Sequence, residues 1–253
     1  MTKRTQKNQR AGEKLLSLIE ELGEQDNAGV TELAEALSFP KSTVHYHLDL
    51  LHEQGFAVKA NGEYRLSLRF LNLGEHTRDR IHLYEVAKPE VERLAEQSNE
   101  LALLMVEERG YGVYIHKAKG SNAIDIDAPI GRHAHLHNRA LGKAILAYKP
   151  EDEAKSIIDQ HGLPQTSENT ITDEEELLED LAAVREREVS YNDQESIHGF
   201  RGIGVPILGE DEVLGAISIA GPTARMKEKR FEEELPDILQ RARNVIELNV
   251  KNK

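Results

Sequence analysis

Residues 31–55 read TELAEALSFPKSTVHYHLDLLHEQG, two short helical patterns joined by a tight break. Leu33, Ala34 and Leu37 recur at helical spacing in the first, and Val44, Leu48 and Leu51 in the second. Thr31 is a suitable N-cap, leaving Glu32 and Glu35 in the first turn, where the helix dipole favours carboxylates. Ser38-Phe39-Pro40 stops the first helix, and Pro40 suits the first position of the second. That second helix opens with Lys41, Ser42, Thr43, His45 and Tyr46. A helix meant only for packing has little use for a cation and short hydrogen-bonding side chains at its start. A recognition helix does, because its first residues meet base edges and phosphates in the major groove.

Two helices at this spacing could still be an ordinary helical hairpin; the residues that follow decide. Phe56-Ala57-Val58 and Tyr64-Arg65-Leu66 are strand-like flanks around Lys59-Ala60-Asn61-Gly62-Glu63, and Asn-Gly is the preferred pair for a two-residue turn. A hairpin directly after a recognition helix is a wing, so residues 1–67 are expected to form a winged helix-turn-helix. Lys41, Ser42, Thr43, His45 and Tyr46 would face DNA, with Val44, Leu48 and Leu51 turned to the core. Lys59 of the wing would reach phosphate. Asp49, one turn beyond Tyr46, would accept from a cytosine amine or repel phosphate.

The stretch Leu37-Ser38-Phe39-Pro40-Lys41-Ser42-Thr43-Val44-His45 resembles the turn and recognition-helix start of the isocitrate lyase regulator (IclR) family of transcription factors, and the resemblance runs through nearly the whole chain. It implies a linker helix over residues 68–82 and, over 83–253, an effector-binding domain with a fold like a GAF sensor, which takes small metabolites and often organic acids.

The residues themselves agree with a second, α+β domain. Leu68, Leu71, Leu73 and Ile81 form a charged amphipathic connector, followed by a helical pattern over 84–96. Strands are expected at 101–106 and 112–117 around Arg109-Gly110, at 123–128, where apolar residues alternate with Asp, and at 200–207 and 213–220. Asn138 would open a helix to residue 148, Pro150 the next, and Thr172-x-x-Glu175 is a capping box. A last helix over 228–248 contains Pro236, which would kink it. The first helix is expected over 10–23. It and the connector carry more apolar surface than one small domain can bury, which points to a homodimer or dimer of dimers and so to a palindromic operator.

Three stretches resemble the family's effector-domain motifs: Gly131 to Ala147, Val189 to Arg201, and Leu214 to Pro222. By that resemblance Ala140, Leu141, Asn192, Gly202, Ser218 and Ala220 bind the effector. Asn192 stands where the family often has Asp, Gly202 where Cys is common and Ala220 where Ser is frequent. A helix start at Ala140-Leu141 favours an anion, and Lys143 lies one turn in. Ser218 would add a hydroxyl unless it is bonded to backbone, with Ile203, Ile217 and Ile219 excluding water. A carboxylate or sugar acid fits best.

Charge and composition narrow the classes further. Net charge is −13, of which the first 67 residues carry −2, leaving −11 for the rest. The first ten residues hold Lys3, Arg4, Lys7 and Arg10 and no acid, an arm able to track phosphates or a solvated terminus. There is no cysteine, so no disulfide frame and no thiolate nucleophile or metal ligand. No apolar run approaches membrane-spanning length and no apolar signal core precedes the first helix, so a cytoplasmic protein with no membrane partner is expected. His133, His135 and His137 alternate and would share one face of an extended segment, able in principle to take a divalent metal but expected to line a pocket or the surface. No metalloprotease, serine-hydrolase, phosphate-loop or dinucleotide motif is present, and no catalytic residue or cofactor is expected. The expected function is a ligand-responsive regulator of transcription. Alternatives are a metal-sensing or ligand-free architectural DNA-binding protein, or, weakest, an enzyme on the sensor fold.

Overall fold

The structure is a computed structural model that describes residues 3–124 and 126–251, with the backbone alone for residues 3–9. Contacts divide the chain into two compact units, Met1–Thr77 and Arg78–Lys253. The division falls inside the expected connector, which is built as a helix, α4 (Arg69–Asp79), and the start of the next, α5 (His82–Ser98).

The first unit holds α1 (Lys3–Glu24), α2 (Val30–Ala36), α3 (Lys41–Glu53), β1 (Ala57–Ala60) and β2 (Glu63–Leu66). Leu18 and Leu22 of α1, Leu33 of α2, Val44, Leu48 and Leu51 of α3 and Tyr64 of β2 form its core. Burying one Val or Leu contributes about 1.5–3 kcal/mol. The three inward residues of α3 therefore outweigh the roughly 1 kcal/mol it forgoes by having no side-chain cap. Asn61 and Gly62 are both left-handed (φ 53° and 86°), the turn that lets two twisted strands close without splaying.

Local boundaries differ from expectation by identifiable causes. Gly29, not Thr31, caps α2, because the Glu32 carboxylate reaches back to accept from the Gly29 N–H at 2.7 Å. Pro40 is the cap of α3 and not its first residue, since its ψ of 135° holds it in extended backbone. Ser38, left-handed at φ 54°, makes the break between them. Helix α1 begins at Lys3 and not near residue 10. Arg10 is exposed, while the Lys3, Arg4 and Lys7 side chains lie outside the described residues. Helix α4 buries none of its residues, and Leu68, Leu71 and Leu73 are 79%, 60% and 47% exposed within the described chain.

After α5 the second unit runs β3 (Leu101–Glu108), β4 (Tyr111–Lys119), β5 (His133–Ala134), α6 (Ala140–Tyr148), α7 (Glu151–His161), α8 (Glu174–Arg187), β6 (Ser190–Asp193), β7 (Phe200–Leu208), β8 (Val213–Pro222), a π-helical turn at Arg230–Glu234, and α9 (Leu235–Lys251). Among the described residues these strands make a six-stranded antiparallel sheet in the order β5-β4-β3-β8-β7-β6. Alternate residues serve opposite layers. Ala102, Leu104, Ile203, Val205, Ile217 and Ile219 pack on α5 and α9. Leu101, Leu103, Met105, Tyr114 and Ala216 pack on α6, α7 and α8. The architecture is the α+β arrangement expected, with an N-terminal winged helix-turn-helix.

Residues 123–128 are not a strand among the described residues; Asp125 lies outside them. The edge of β4 is taken instead by His133 and Ala134, paired with Val113 and Gly112. Arg139, not Asn138, caps α6. Asp173, not Thr172, caps α8, accepting from Glu176 N at 3.0 Å. Asn192 belongs to edge strand β6, paired with Gly202, and not to a loop. Pro236 lies inside one unbroken helical run over 228–251, as expected, directly after the π-helical turn at Arg230–Glu234, whose last bond runs from Leu235 N to Arg230 O.

Candidate functional site

Helix α3 presents Lys41, Ser42, His45 and Tyr46 to solvent, with Thr43 half-buried. Val44, Leu48 and Leu51 are buried beneath them, as their spacing predicts. Tyr46 is 65% exposed. His47, unremarked in the sequence, turns inward and is buried, and desolvation lowers its pKa. Asp49 is not free for a base. It accepts from the Tyr64 hydroxyl at 3.2 Å and lies 2.8 Å from His45 Nδ1, so one carboxylate ties recognition helix to wing. Lys59 is exposed on the wing, its Nζ 4.9 Å from the centre of the Tyr64 ring.

In the second unit, Ala140, Leu141, Asn192, Gly202, Ser218 and Ala220 all line a single cavity, together with Leu103, Tyr114, Ile126, Arg139, Ser196, Ile197, Phe200 and Arg201. Its void is about 40 Å³, room for roughly three waters, and it opens to solvent at the mouth. Glycines set α6 against the sheet. A Cβ on Gly204 would lie 2.8 Å from the Ala140 carbonyl carbon, and one on Gly142 would lie 2.1 Å from Leu136 O. Ser190 Oγ donates to Ala140 O, fixing the helix start over β7. The first α-helical bond of α6 runs from Lys143 N to Arg139 O at 2.9 Å. The N–H groups of Ala140, Leu141 and Gly142 therefore precede the helical ladder.

Polar groups at the cavity are placed differently from expectation. Lys143 does not reach it: the side chain is buried and its Nζ sits 2.7 Å from Glu195 and 2.8 Å from Asp180. The cation at the helix start is Arg139, missed because the cap was assigned one residue early. Its Nε is buried with no hydrogen-bond partner, and its guanidinium carbon lies 6.0 Å from the Tyr114 ring. Asn192 does not keep a free amide donor. Its Nδ2 donates to Asn138 O at 2.6 Å and Ser196 Oγ at 3.1 Å, and its Oδ1 accepts from Glu195 N at 3.0 Å. The Ser218 hydroxyl is not bonded to backbone or to any side chain among the described residues. Ile203, Ile217 and Ile219 lie on the other face of the sheet, as strand alternation requires. Leu103, Ile126, Ile197 and Phe200 supply the apolar wall instead.

A model of the IclR helix-turn-helix domain matches residues 13–60, and one of the bacterial transcriptional regulator IclR C-terminal domain matches residues 75–247. The chain belongs to the IclR family. It is 30% identical over 241 residues to the probable HTH-type transcriptional regulator ArcR of Halobacterium salinarum, 93% of this chain and 92% of that one. Identity to the HTH-type transcriptional regulator KdgR of Escherichia coli is 31% over 236 residues, 92% and 89% of the two chains. The crystal structure of Thermotoga maritima IclR shares the fold with a TM-score of 0.81 over 95% of this chain and 98% of that chain, at 24% identity. This IclR-family protein is therefore a transcriptional regulator, with a DNA-binding helix-turn-helix and a C-terminal ligand-binding domain, and its relatives are regulators and not enzymes.

The three alternating histidines of this IclR regulator are joined by ring contacts: His135 lies 5.7 Å from the Tyr111 ring and 5.8 Å from His137, and the strand itself ends at Ala134. His133 stacks on Tyr111, ring centres 5.1 Å apart, while His137 is buried with Nε2 3.3 Å from Pro164 O. A carbonyl only accepts, so that nitrogen carries the proton, and burial holds the His137 pKa down to about 4. Among the described residues no group of three or more His, Asp or Glu is arranged to hold a metal ion. No helix among them is long and apolar enough to cross a membrane.

Proposed function

We propose that the chain binds operator DNA through α3 and the wing as a homodimer or dimer of dimers. We further propose that a small carboxylate in the α6 cavity sets its operator affinity, with α4 and the turn into α5 as connector over residues 68–82. The observation that carries the effector reading is Arg139, a guanidinium with a buried unpartnered Nε at the wall of a concave site. The open N-terminus of α6 and the Ser218 hydroxyl stand at the same site. The guanidinium also hydrogen-bonds the Tyr114 hydroxyl, so its Nε is the donor left for an anionic guest, and a charge-assisted bond there is among the stronger kinds. Ala140, Leu141, Asn192, Gly202, Ser218 and Ala220 form the walls of that site.

Operator DNA selected in vitro from random duplexes provides the test, titrated with and without acetate, pyruvate, gluconate and benzoate. At least one acid is expected to change operator affinity, and Ser218→Leu is expected to remove that response while leaving acid-free binding intact. A normal response in the variant would place the effector elsewhere.

Lys41, Ser42, Thr43, His45 and Tyr46 read the operator in this proposal, and Lys59 holds phosphate. Tyr46→Ala should cost about 1–3 kcal/mol of operator affinity, mostly as lost discrimination between sites. Lys41→Gln with Lys59→Gln should instead weaken all duplexes alike and flatten the salt dependence. Unchanged site preference in the first variant, or an unchanged salt slope in the second, would remove those residues from the interface. The exposed Leu68 just before α4, Leu71 and Leu73 of α4 and Leu16 of α1 supply apolar surface for self-association. Two-fold heads on a palindromic operator follow from it. Light scattering at micromolar concentration should give a dimer or larger; a stable monomer would contradict the proposal.

A further inference from the structure

We propose that the cavity selects a monoanion with a compact apolar body, and discriminates against polyhydroxylated and dianionic acids. The inference rests on the cavity being the effector site. It comes from taking each polar group at the wall and asking what remains for a guest.

Asn192 has no donor left for an anion: its amide hydrogens go to Asn138 O and Ser196 Oγ, and its oxygen accepts from Glu195 N. Arg201 is committed to Asp193, through Nε at 2.8 Å and Nη2 at 2.7 Å, and donates Nη1 to Met226 O at 2.9 Å. A second carboxylate placed there would meet a neutralised pair and the outward charge of Asp193. Ser196 Oγ accepts from Asn192 and keeps its own proton, one donor for a guest. For a carboxylate three resources remain: the Arg139 guanidinium, which also hydrogen-bonds the Tyr114 hydroxyl, the Ser218 hydroxyl and the first N–H groups of α6.

These three lie together. Ser218 pairs with Gly204 across the β7–β8 ladder, and Gly204 is the residue on which Ala140 rests. Arg139 directly precedes Ala140. One carboxylate can be satisfied at that end. Away from it the wall is Leu103, Ile126, Ile197, Phe200, Ala220 and the Tyr114 ring, with the Ser196 and Tyr114 hydroxyls as its few polar points, fewer than the hydroxyls of a sugar acid. Burial pushes the Tyr114 phenol pKa up, so its ring stays neutral. Gly202 adds space without strain: a Cβ there would meet nothing nearer than Ala140 Cβ at 3.6 Å. Each guest hydroxyl buried against such a wall without a partner lowers affinity by about 5- to 150-fold. A sugar acid brings several of them, whereas an alkyl or aryl body brings none.

The test uses the full chain in calorimetric titrations with hexanoate, benzoate, gluconate, succinate and the neutral benzamide. Hexanoate or benzoate should bind about ten-fold or more tightly than gluconate and succinate, and benzamide should not bind detectably. Arg139→Gln should weaken the apolar acid about ten-fold or more. If gluconate or succinate binds more tightly, and loses that binding with Arg139→Gln, the selectivity is wrong while the cavity stands as the effector site. If none of the four acids binds, or binding is indifferent to Arg139→Gln, both the selectivity and the site are overturned.

Discussion

Lys143→Met will lower the melting temperature of the Arg78–Lys253 unit by roughly 6–20 °C. Methionine nearly conserves the volume, so the change reads charge and not a cavity. Lys143 is only 2% exposed, and its ammonium holds Glu195 at 2.7 Å and Asp180 at 2.8 Å. Without it Glu195, 9% exposed, loses its cation beside Asp180, 21% exposed, which keeps only Arg187 at 3.2 Å. Breaking a buried pair on one side costs about 3–5 kcal/mol, and each kcal/mol moves the transition of a unit this size by about 2–4 °C.

The deficit should also depend on pH in a fixed direction. Burial raises the Glu195 pKa above the ordinary carboxylate value, against the opposing pull of the Lys143 ammonium. A carboxyl whose folded pKa is raised binds its proton more tightly when folded. Stability therefore falls as pH rises from the ordinary value through the raised one. Removing the ammonium raises the folded value further and widens that window. Melts from about pH 4 to pH 8 should show the smallest deficit at the acid end. A deficit under about 1 kcal/mol, or one constant with pH, would show that the triad is relaxed by water.

Gly142→Ala will destabilise the same unit by about 1–3 kcal/mol, although the change should ordinarily help. Alanine inside a helix gains about 1 kcal/mol over glycine. Here the new Cβ would stand 2.1 Å from Leu136 O and 2.4 Å from Leu136 Cα, and backbone cannot turn aside as a side chain can. The displaced segment carries Asn138, which accepts from Asn192 and donates to Thr166 at 2.9 Å, so α6, β6 and the 166–170 turn would loosen together. Denaturant melts of Gly142→Ala and Gly202→Ala make the comparison. The second has room for its methyl and should be neutral or gain up to about 1 kcal/mol. Equal stabilities in the two variants would mean that α6 does not rest on the 136 segment.

The N-terminal half was legible because its signals are local. Asn61-Gly62, the Ser38-Phe39-Pro40 break and the inward run of Val44, Leu48 and Leu51 each act within a few residues, and the structure keeps all of them. Positions lining the cavity were legible through family resemblance, since the six residues it indicated meet at one place. Chemistry inferred beyond that resemblance fared worse wherever direction mattered. Lys143 was placed by its turn of helix, but its side chain runs beneath α6 to partners 37 and 52 residues away in sequence, Asp180 and Glu195. Ile217 and Ile219 were placed by adjacency to Ser218, which on a strand guarantees the opposite face. Arg139 stood beside the expected cap and was passed over; a cation next to a helix start was the available signal. The alternation over 123–128 was a true period without a neighbouring strand to use it.

The central sheet is also a partition between two kinds of selection. Along β8, Ser218 and Ala220 look into the cavity while Ile217 and Ile219 anchor the layer of α5 and α9; along β7, Gly202 alternates with Ile203 in the same way. Neighbours in the gene thus answer to different demands. With the cavity as the proposed effector site, a substitution on one face would alter which molecule the protein notices, and one on the other whether the domain persists at all.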